Sequence, residues 1–321
     1  MTYSNRWADF PDYIIAITKE IWEDRGIATL DAYYSEDIPV RSPGSLVVGN
    51  DPVKAATMAT LAEFPDRTLF GEDVIWCEGS NGGHLSSHRI VTTATHSGDG
   101  MYGKATGRKL KYRIIADCHA NGQTINDEWL IRDQGAVVRQ MGWDPKDFAA
   151  DLILREGGPE ACVKPFTPAI DRPGPYTGTG NDNEWGAKYA DILTRIMNTD
   201  FAVISQEYDR AVHLEYPGGV TGHSHIDADR FWMGLRASFP TATFKIEHQI
   251  GREDPMMPPR AALRWSLHGT HSGWGAFGTP TGAEVYIMGA CHAEFGPWGL
   301  RREYALFDET AIWKQILLAD A

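Results

Sequence analysis

Two hydrophobic periods alternate along this chain, and the alternation runs through twice. Tyr13-Ile14, Ile17 and Ile21-Trp22 recur at helical spacing, with Lys19, Glu20, Glu23 and Asp24 between them, and Gly26 ends the segment. A short helix is expected over residues 29–34, and Arg41-Ser42-Pro43-Gly44 reads as a turn. Asp51-Pro52 opens a third helix, as N-cap and first-turn proline, that runs to residue 63 and stops at Phe64-Pro65-Asp66. The period then shortens to that of strands. Residues 68–77, 84–96, 108–119 and 124–132 read as four antiparallel strands, with Asn121-Gly122 as a hairpin turn. Residues 144–155 read as a closing helix, and residues 157–183, rich in Gly, Pro and Thr, as a connection. Helical spacing resumes over residues 185–197 and 227–238. Strand patterns follow at 243–250, 260–271, 283–295 and 299–307.

The recurrence is literal in places. Thr95-His96-Ser97-Gly98 and Thr270-His271-Ser272-Gly273 each open a stretch reading T-H-S-G-x-G-x-aromatic-G-x-x-T-G, 175 residues apart. Phe64-Pro65 and Phe239-Pro240, Arg89 and Arg264, Glu128 and Glu303, and Asp133 and Asp308 keep that shift. Cys118-His119-Ala120 aligns with Cys291-His292-Ala293 after a two-residue gap. The chain therefore reads as two copies of one α+β domain, residues 1–150 and 185–321, joined by a Pro/Gly-rich linker at 151–184.

Composition narrows the function class. A net charge of -13 and a pI near 5.3 disfavour nucleic-acid and anionic-membrane surfaces, because phosphates are repelled. No apolar run reaches the length of a membrane span, about 18 residues. Residues 1–11 lack the basic and apolar regions of a signal peptide. Cys77, Cys118, Cys162 and Cys291 form no CxxC pair. A soluble protein of a reducing cytoplasm is expected.

Each half resembles the SnoaL-like polyketide cyclases and ester cyclases of the nuclear transport factor 2-like superfold. The resemblance rests on the Phe-Pro that ends the third helix, the T-H-S-G-x-G hairpin, and the last strand. That strand runs Ile125-Asn126-Asp127-Glu128-Trp129-Leu130-Ile131-Arg132-Asp133, followed by Val138-Arg139-Gln140-Met141-Gly142. It covers roughly residues 10–145 and 185–320. It implies two tandem cone-shaped α+β barrels, each a curved sheet around its helices with a pocket at one end, and no metal or organic cofactor. The family's acid/base aspartate falls at Leu130 and, in the repeat, at Ala305. Neither can move a proton, so the cyclase reaction does not carry over. Dimerisation through the sheet, usual in the superfold, implies an intrachain pseudo-dimer, with further homo-oligomers allowed.

Strand alternation sorts the candidate chemistry by face without saying which face looks inward. The functional reading gathers His88, Asp117, His119 and one of Glu128 or Asp133 into one pocket as acid/base groups, with Arg113 and Trp129 as binders. The structural reading pairs Glu128 and Asp133 with Arg89, Arg113 or Arg132. In the second half Arg264, His271, His292 and Glu303 form the analogous binding set. His96 and His271 in their turns suit backbone bonding, and Arg260 with Arg264 suits a carboxylate. His88, His119 and a carboxylate would make a zinc site, but no HExxH-type spacing supports a metal. The expected function is a cofactor-independent cyclase, isomerase, dehydratase or lyase, acting by proton transfer on a small acidic or carbonyl-bearing metabolite. The first half is the better candidate. The competing reading is a small-ligand-binding or assembly module without chemistry.

Overall fold

A computed structural model describes residues 6–79 and 82–319. The reading of residues 1–11 thus falls partly on residues 1–5, outside the described residues. In the first half, α1 (Phe10–Thr18) runs into a π-turn at Lys19–Glu23, and α2 (Leu30–Tyr33) follows. A hairpin of β1 (Pro39–Ser42) and β2 (Ser45–Val48) leads to α3 (Asn50–Glu63). Four strands come next: β3 (Phe70–Glu78), β4 (His84–Thr95), β5 (Lys109–Asn121) and β6 (Thr124–Arg132). Helices α4 (Gln134–Gln140) and α5 (Pro145–Arg155) close the half. The second half repeats the plan as α6 (Glu184–Met197), α7 (Ala202–Glu207), β7 (Tyr208–Tyr216), β8 (Val220–His223) and α8 (Ser224–Ser238). It ends with β9 (Thr243–Arg252), β10 (Arg260–Thr270), β11 (Glu284–Gly296), β12 (Gly299–Phe307) and α9 (Glu309–Ala319).

Both halves are six-stranded α+β domains with the same strand order, β2-β1-β6-β5-β4-β3 and β8-β7-β12-β11-β10-β9. Three sequence expectations are corrected. Pro43-Gly44 is the tip of a hairpin in which Ser42 pairs with Ser45, and β1 runs parallel to β6, so each sheet is mixed rather than antiparallel. Four-residue strands are too short to print a period of two. Asp51 does not cap α3: the cap is Gly49, at φ 94, where an L side chain would be strained. The gapped alignment at Cys118 also fails. Leu85 pairs with His119 as Arg260 pairs with Glu294, and Cys118 pairs with Glu128 as Ala293 pairs with Glu303. The shift stays at 175 from β3 through β6, so Asp117 corresponds to His292 and His119 to Glu294.

The repeated T-H-S-G-x-G stretch is a structural clasp. A Cβ on Gly98 would sit 2.1 Å from the Ala62 carbonyl oxygen, and one on Gly273 2.0 Å from that of Ala237. Only glycine lets the hairpin close on the end of α3 or α8. His96 and His271 bond the turn threonines Thr106 and Thr281 at 3.0 and 3.1 Å.

The outer faces of the two sheets pack against each other. Ile115, Ile131, Met288, Ala290 and Leu306 bury together with Phe166 of the intervening segment. That segment is anchored in this packing: Arg41 binds Asp127 and Asp171, each at 2.5 Å, and the Tyr176 hydroxyl meets His248 Nε2 at 2.6 Å. Reciprocal contacts relate the halves. Arg264 lies 3.8 Å over the Trp129 ring, and its counterpart Arg89 lies 3.6 Å over the counterpart ring of Tyr304. Among the described residues no helix is long and apolar enough to cross a membrane.

The interiors differ. The second half holds one continuous core, whereas buried apolar residues of the first form separate clusters. The cause lies at matched positions. Ala56, Thr57, Ile90 and Arg132 of the first half correspond to Phe231, Trp232, Trp265 and Phe307 of the second. Trp232, Trp265 and Phe307 pack at ring separations of 6.2 and 6.4 Å, and a Cβ on Gly289 would lie 2.1 Å from the Trp265 ring. Aromatic rings fill the second cone, and small side chains leave the first one hollow.

Candidate active site

The hollow is a cavity of about 650 Å³, walled by α1, α3 and the inner faces of β4, β5 and β6. Its walls are mainly aliphatic: Ile14, Ile17, Val53, Ile90 and Ile114. This combination of size and lining suits a small, partly apolar ligand. Two of the five acid/base candidates face it, His88 from β4 and Glu128 from β6. Burial pushes the Glu128 carboxyl up to about 7, against the opposing effect of a hydrogen bond from Tyr34. Burial, with some help from the charge of Arg89, depresses His88 to about 4, so its imidazole is neutral at physiological pH. His88 Nε2 is buried and has no hydrogen-bond partner. A carboxyl that titrates near neutrality and an unengaged neutral imidazole thus share one inner face.

The pocket gathered from the sequence comes apart at the sheet. Asp117 and His119 alternate with the inward Ala116 and Cys118 of β5 and point out toward the second half. Asp117 accepts from Arg264 Nε at 3.1 Å, and burial raises its carboxyl against that partner. His119 Nδ1 donates to Asn126 Oδ1 at 2.6 Å, and its ring lies 4.7 Å from that of Tyr176. His88 and His119 therefore lie on opposite faces and cannot share a metal. No group of three or more His, Cys, Asp or Glu side chains is placed to hold one among the described residues. Asp133 caps α4 through the Ala136 amide at 2.9 Å and accepts from Gly218 and Gly219 of the second half at 2.8 and 3.0 Å. Burial pushes it up to about 7, while those amides favour its ionised form.

The expected binders also sit between the sheets. Arg113 pairs with Glu72 and with Glu215 of the second half, each at 2.8 Å. Trp129 lies beneath both Arg41 and Arg264. His292 shares a hydrogen bond with Ser87 at 2.8 Å, and burial, then Arg89, Arg260 and His88, holds it well below the usual imidazole range. His271 serves its turn.

Glu303, the counterpart of Glu128, does face inward, but it is saturated. It accepts from Tyr189, Tyr208, Tyr216 and Trp232 at 2.9, 2.8, 2.6 and 3.2 Å. Trp232 is replaced by Thr57 in the first half, so Glu128 lacks that donor.

Sequence reasoning did not assign Arg67, Tyr112 or Arg132 to the site, yet all three line the cavity. A signal was available at the constant shift: with His88 they correspond to Ala242, Ile287, Phe307 and Leu263, so four inward polar positions of one half are apolar in the other.

No family model matches the chain, and no curated protein does. Solved structures do. Wild-type IdmH from Streptomyces antibioticus, described as a candidate polyketide cyclase, is 23% identical and matches 41% of this chain and 97% of its own at a TM-score of 0.36. A SnoaL-like polyketide cyclase from Agrobacterium tumefaciens is 20% identical over 40% of this chain and 94% of its own, with a TM-score of 0.32. TsrD from Streptomyces laurentii is 17% identical over 40% and 90%, with a TM-score of 0.34. Each of the two polyketide cyclase chains matches about two-fifths of this chain over nearly all of its own length.

Proposed function

We propose that the first cone is a cofactor-independent proton-transfer site for a small carbonyl-bearing metabolite, with Glu128 as the acid/base group and His88 as its electrophilic partner. The observation that carries this is the pairing of a near-neutral carboxyl and an unpartnered imidazole on the wall of a 650 Å³ cavity. Leu130 occupies the place of the family's aspartate. Glu128 lies two residues earlier on the same face, about 7 Å along the strand. In the simplest step the ionised Glu128 takes a proton from carbon next to a carbonyl, and the C–H electron pair moves into a carbon–carbon double bond. The carbonyl oxygen, now an enolate, accepts a hydrogen bond from the His88 N–H. Returning the proton to another carbon gives an isomerase; expelling a leaving group gives a lyase or dehydratase.

In the same reading the second half is a docking partner rather than a second site, and the two form an intrachain pseudo-dimer. The reciprocal Arg264–Trp129 and Arg89–Tyr304 stacking supports this. A binding module without chemistry is favoured by one observation, the absence of the cyclase aspartate from both halves.

Exchange with heavy water separates the two. Wild-type protein incubated in D2O with a panel of ketones and keto acids is expected to catalyse deuterium incorporation next to the carbonyl of at least one. Glu128→Gln is expected to lower that rate by at least 10²-fold while still binding the compound. A compound that binds without exchange in the wild type, or equal exchange in the variant, contradicts the proton-transfer reading.

A further inference from the structure

Arg67 and Arg132 are unusual among the cations held inside this molecule. Arg41, Arg89, Arg260 and Arg264 each meet a carboxylate. Arg67 is 4% exposed and Arg132 is half-buried; both line the first cavity, and neither has an ion-pair partner among the described residues. The Nε of each is buried without any hydrogen-bond acceptor. The two guanidinium groups are close enough to feel each other's charge, and Arg67 is hydrogen-bonded to the neutral Tyr112 hydroxyl rather than to a carboxylate. A guanidinium held largely out of water without a carboxylate is costly, so two such cations lining one cavity call for an anion from outside.

The acids in the same wall do not supply it. Glu63 is taken by His96 and by the Met101 and Tyr102 amides; Asp99 by the Ala105 amide; Asp308 by Thr310 and Ala311; Glu156 by Lys314; and Glu128 by Tyr34. Their negative charge also argues against a dianion. A planar monoanion that accepts two forks of N–H donors matches the guanidinium pair.

The register fixes the length of the ligand. Arg132 and Glu128 lie four residues apart on one face of β6, about 13 Å along the strand. His88 lies between them, since Ala116 pairs with both His88 and Leu130. We infer that Arg67 and Arg132 form the carboxylate subsite of the first cone, and that its ligand is an amphipathic carboxylic acid whose apolar body runs past His88 toward Glu128. The inference rests on the first cone being the ligand site, but not on proton transfer there.

The test uses full-length protein and four ten-carbon probes: decanoate, decan-1-ol, decylammonium and decyl phosphate, with binding followed by calorimetry. Decanoate is expected to bind at least tenfold more tightly than the alcohol, with the ammonium weakest. Arg67→Gln and Arg132→Gln should each weaken decanoate at least tenfold and leave the alcohol unchanged, whereas Glu128→Gln should retain decanoate. The wild-type ranking of probes stands even if an arginine variant fails to fold. Alcohol and decanoate binding equally, or a variant that keeps full decanoate affinity, overturns the carboxylate subsite while leaving the cavity as a ligand site. Decyl phosphate binding more tightly than decanoate overturns the monoanion class. Failure of every probe overturns both the subsite and the reading of the cone on which it rests.

Discussion

Asp117→Ala is expected to destabilise the protein by about 3–5 kcal/mol, because it leaves the Arg264 guanidinium buried between the sheets without its carboxylate. The pair is out of water on both sides, with side-chain exposures of 10% and 4%. Solvent therefore screens little of the loss. Arg264 retains its place over Trp129, which offsets a small part. The double variant Asp117→Ala/Arg264→Met is expected to recover most of the deficit, since an apolar pair of similar volume often replaces a buried ion pair at little cost. Denaturant midpoints of the three proteins measure this. If Asp117→Ala kept wild-type stability but lost ligand turnover, Asp117 would be a functional group after all.

The second large effect concerns the two glutamates that occupy the same position of the repeat. Glu303→Gln is expected to cost about 2–4 kcal/mol. Its two oxygens accept four hydrogen bonds, and a Gln amide nitrogen turned toward any of those donors leaves buried groups unsatisfied. The Trp232 indole cannot reverse its role, and a phenol can do so only by giving up its present bond. Glu128→Gln is expected to behave in the opposite way at alkaline pH. The folded Glu128 binds its proton more tightly than the unfolded chain does. Its contribution is fully present below about 4.5 and is lost as pH rises to about 7, where the buried charge costs on the order of 3 kcal/mol. Removing the charge should therefore stabilise the protein at pH 8 relative to wild type, and much less at pH 5. Thermal unfolding of both variants at the two pH values checks this contrast. Equal responses from Glu128→Gln and Glu303→Gln would mean that the two cones have equivalent interiors.

Much of the architecture is legible in the sequence. The repeat, the long strands and the helices read at residues 144–155 and 185–197 follow from period and turn residues. The short elements are not legible, because β1, β2 and β8 have four residues each, too few to show a period of two. The site was legible only in part, for a physical reason. Alternation on β5 separates Asp117 and His119 from Ala116 and Cys118 but does not orient either set. The more polar face looked like the chemical one. Its charges are instead matched by the other half of the chain, as Asp117 is by Arg264 and Arg113 by Glu215. That complementarity exists only once the sheets are packed. Comparing inward positions of the halves would have helped, since Thr57 against Trp232 and Arg132 against Phe307 mark the hollow cone.

Glu128 stands in this structure as a cavity carboxyl poised to exchange a proton near neutrality. Carbon-13 NMR titration of the glutamate carboxyl signals, with Glu128 assigned by its loss in Glu128→Gln, measures this directly. A midpoint near 7 is expected for Glu128. A midpoint near the ordinary 4.5 would contradict it, since a carboxyl that is fully ionised and solvated at neutral pH is neither buried in this cavity nor tuned for proton transfer.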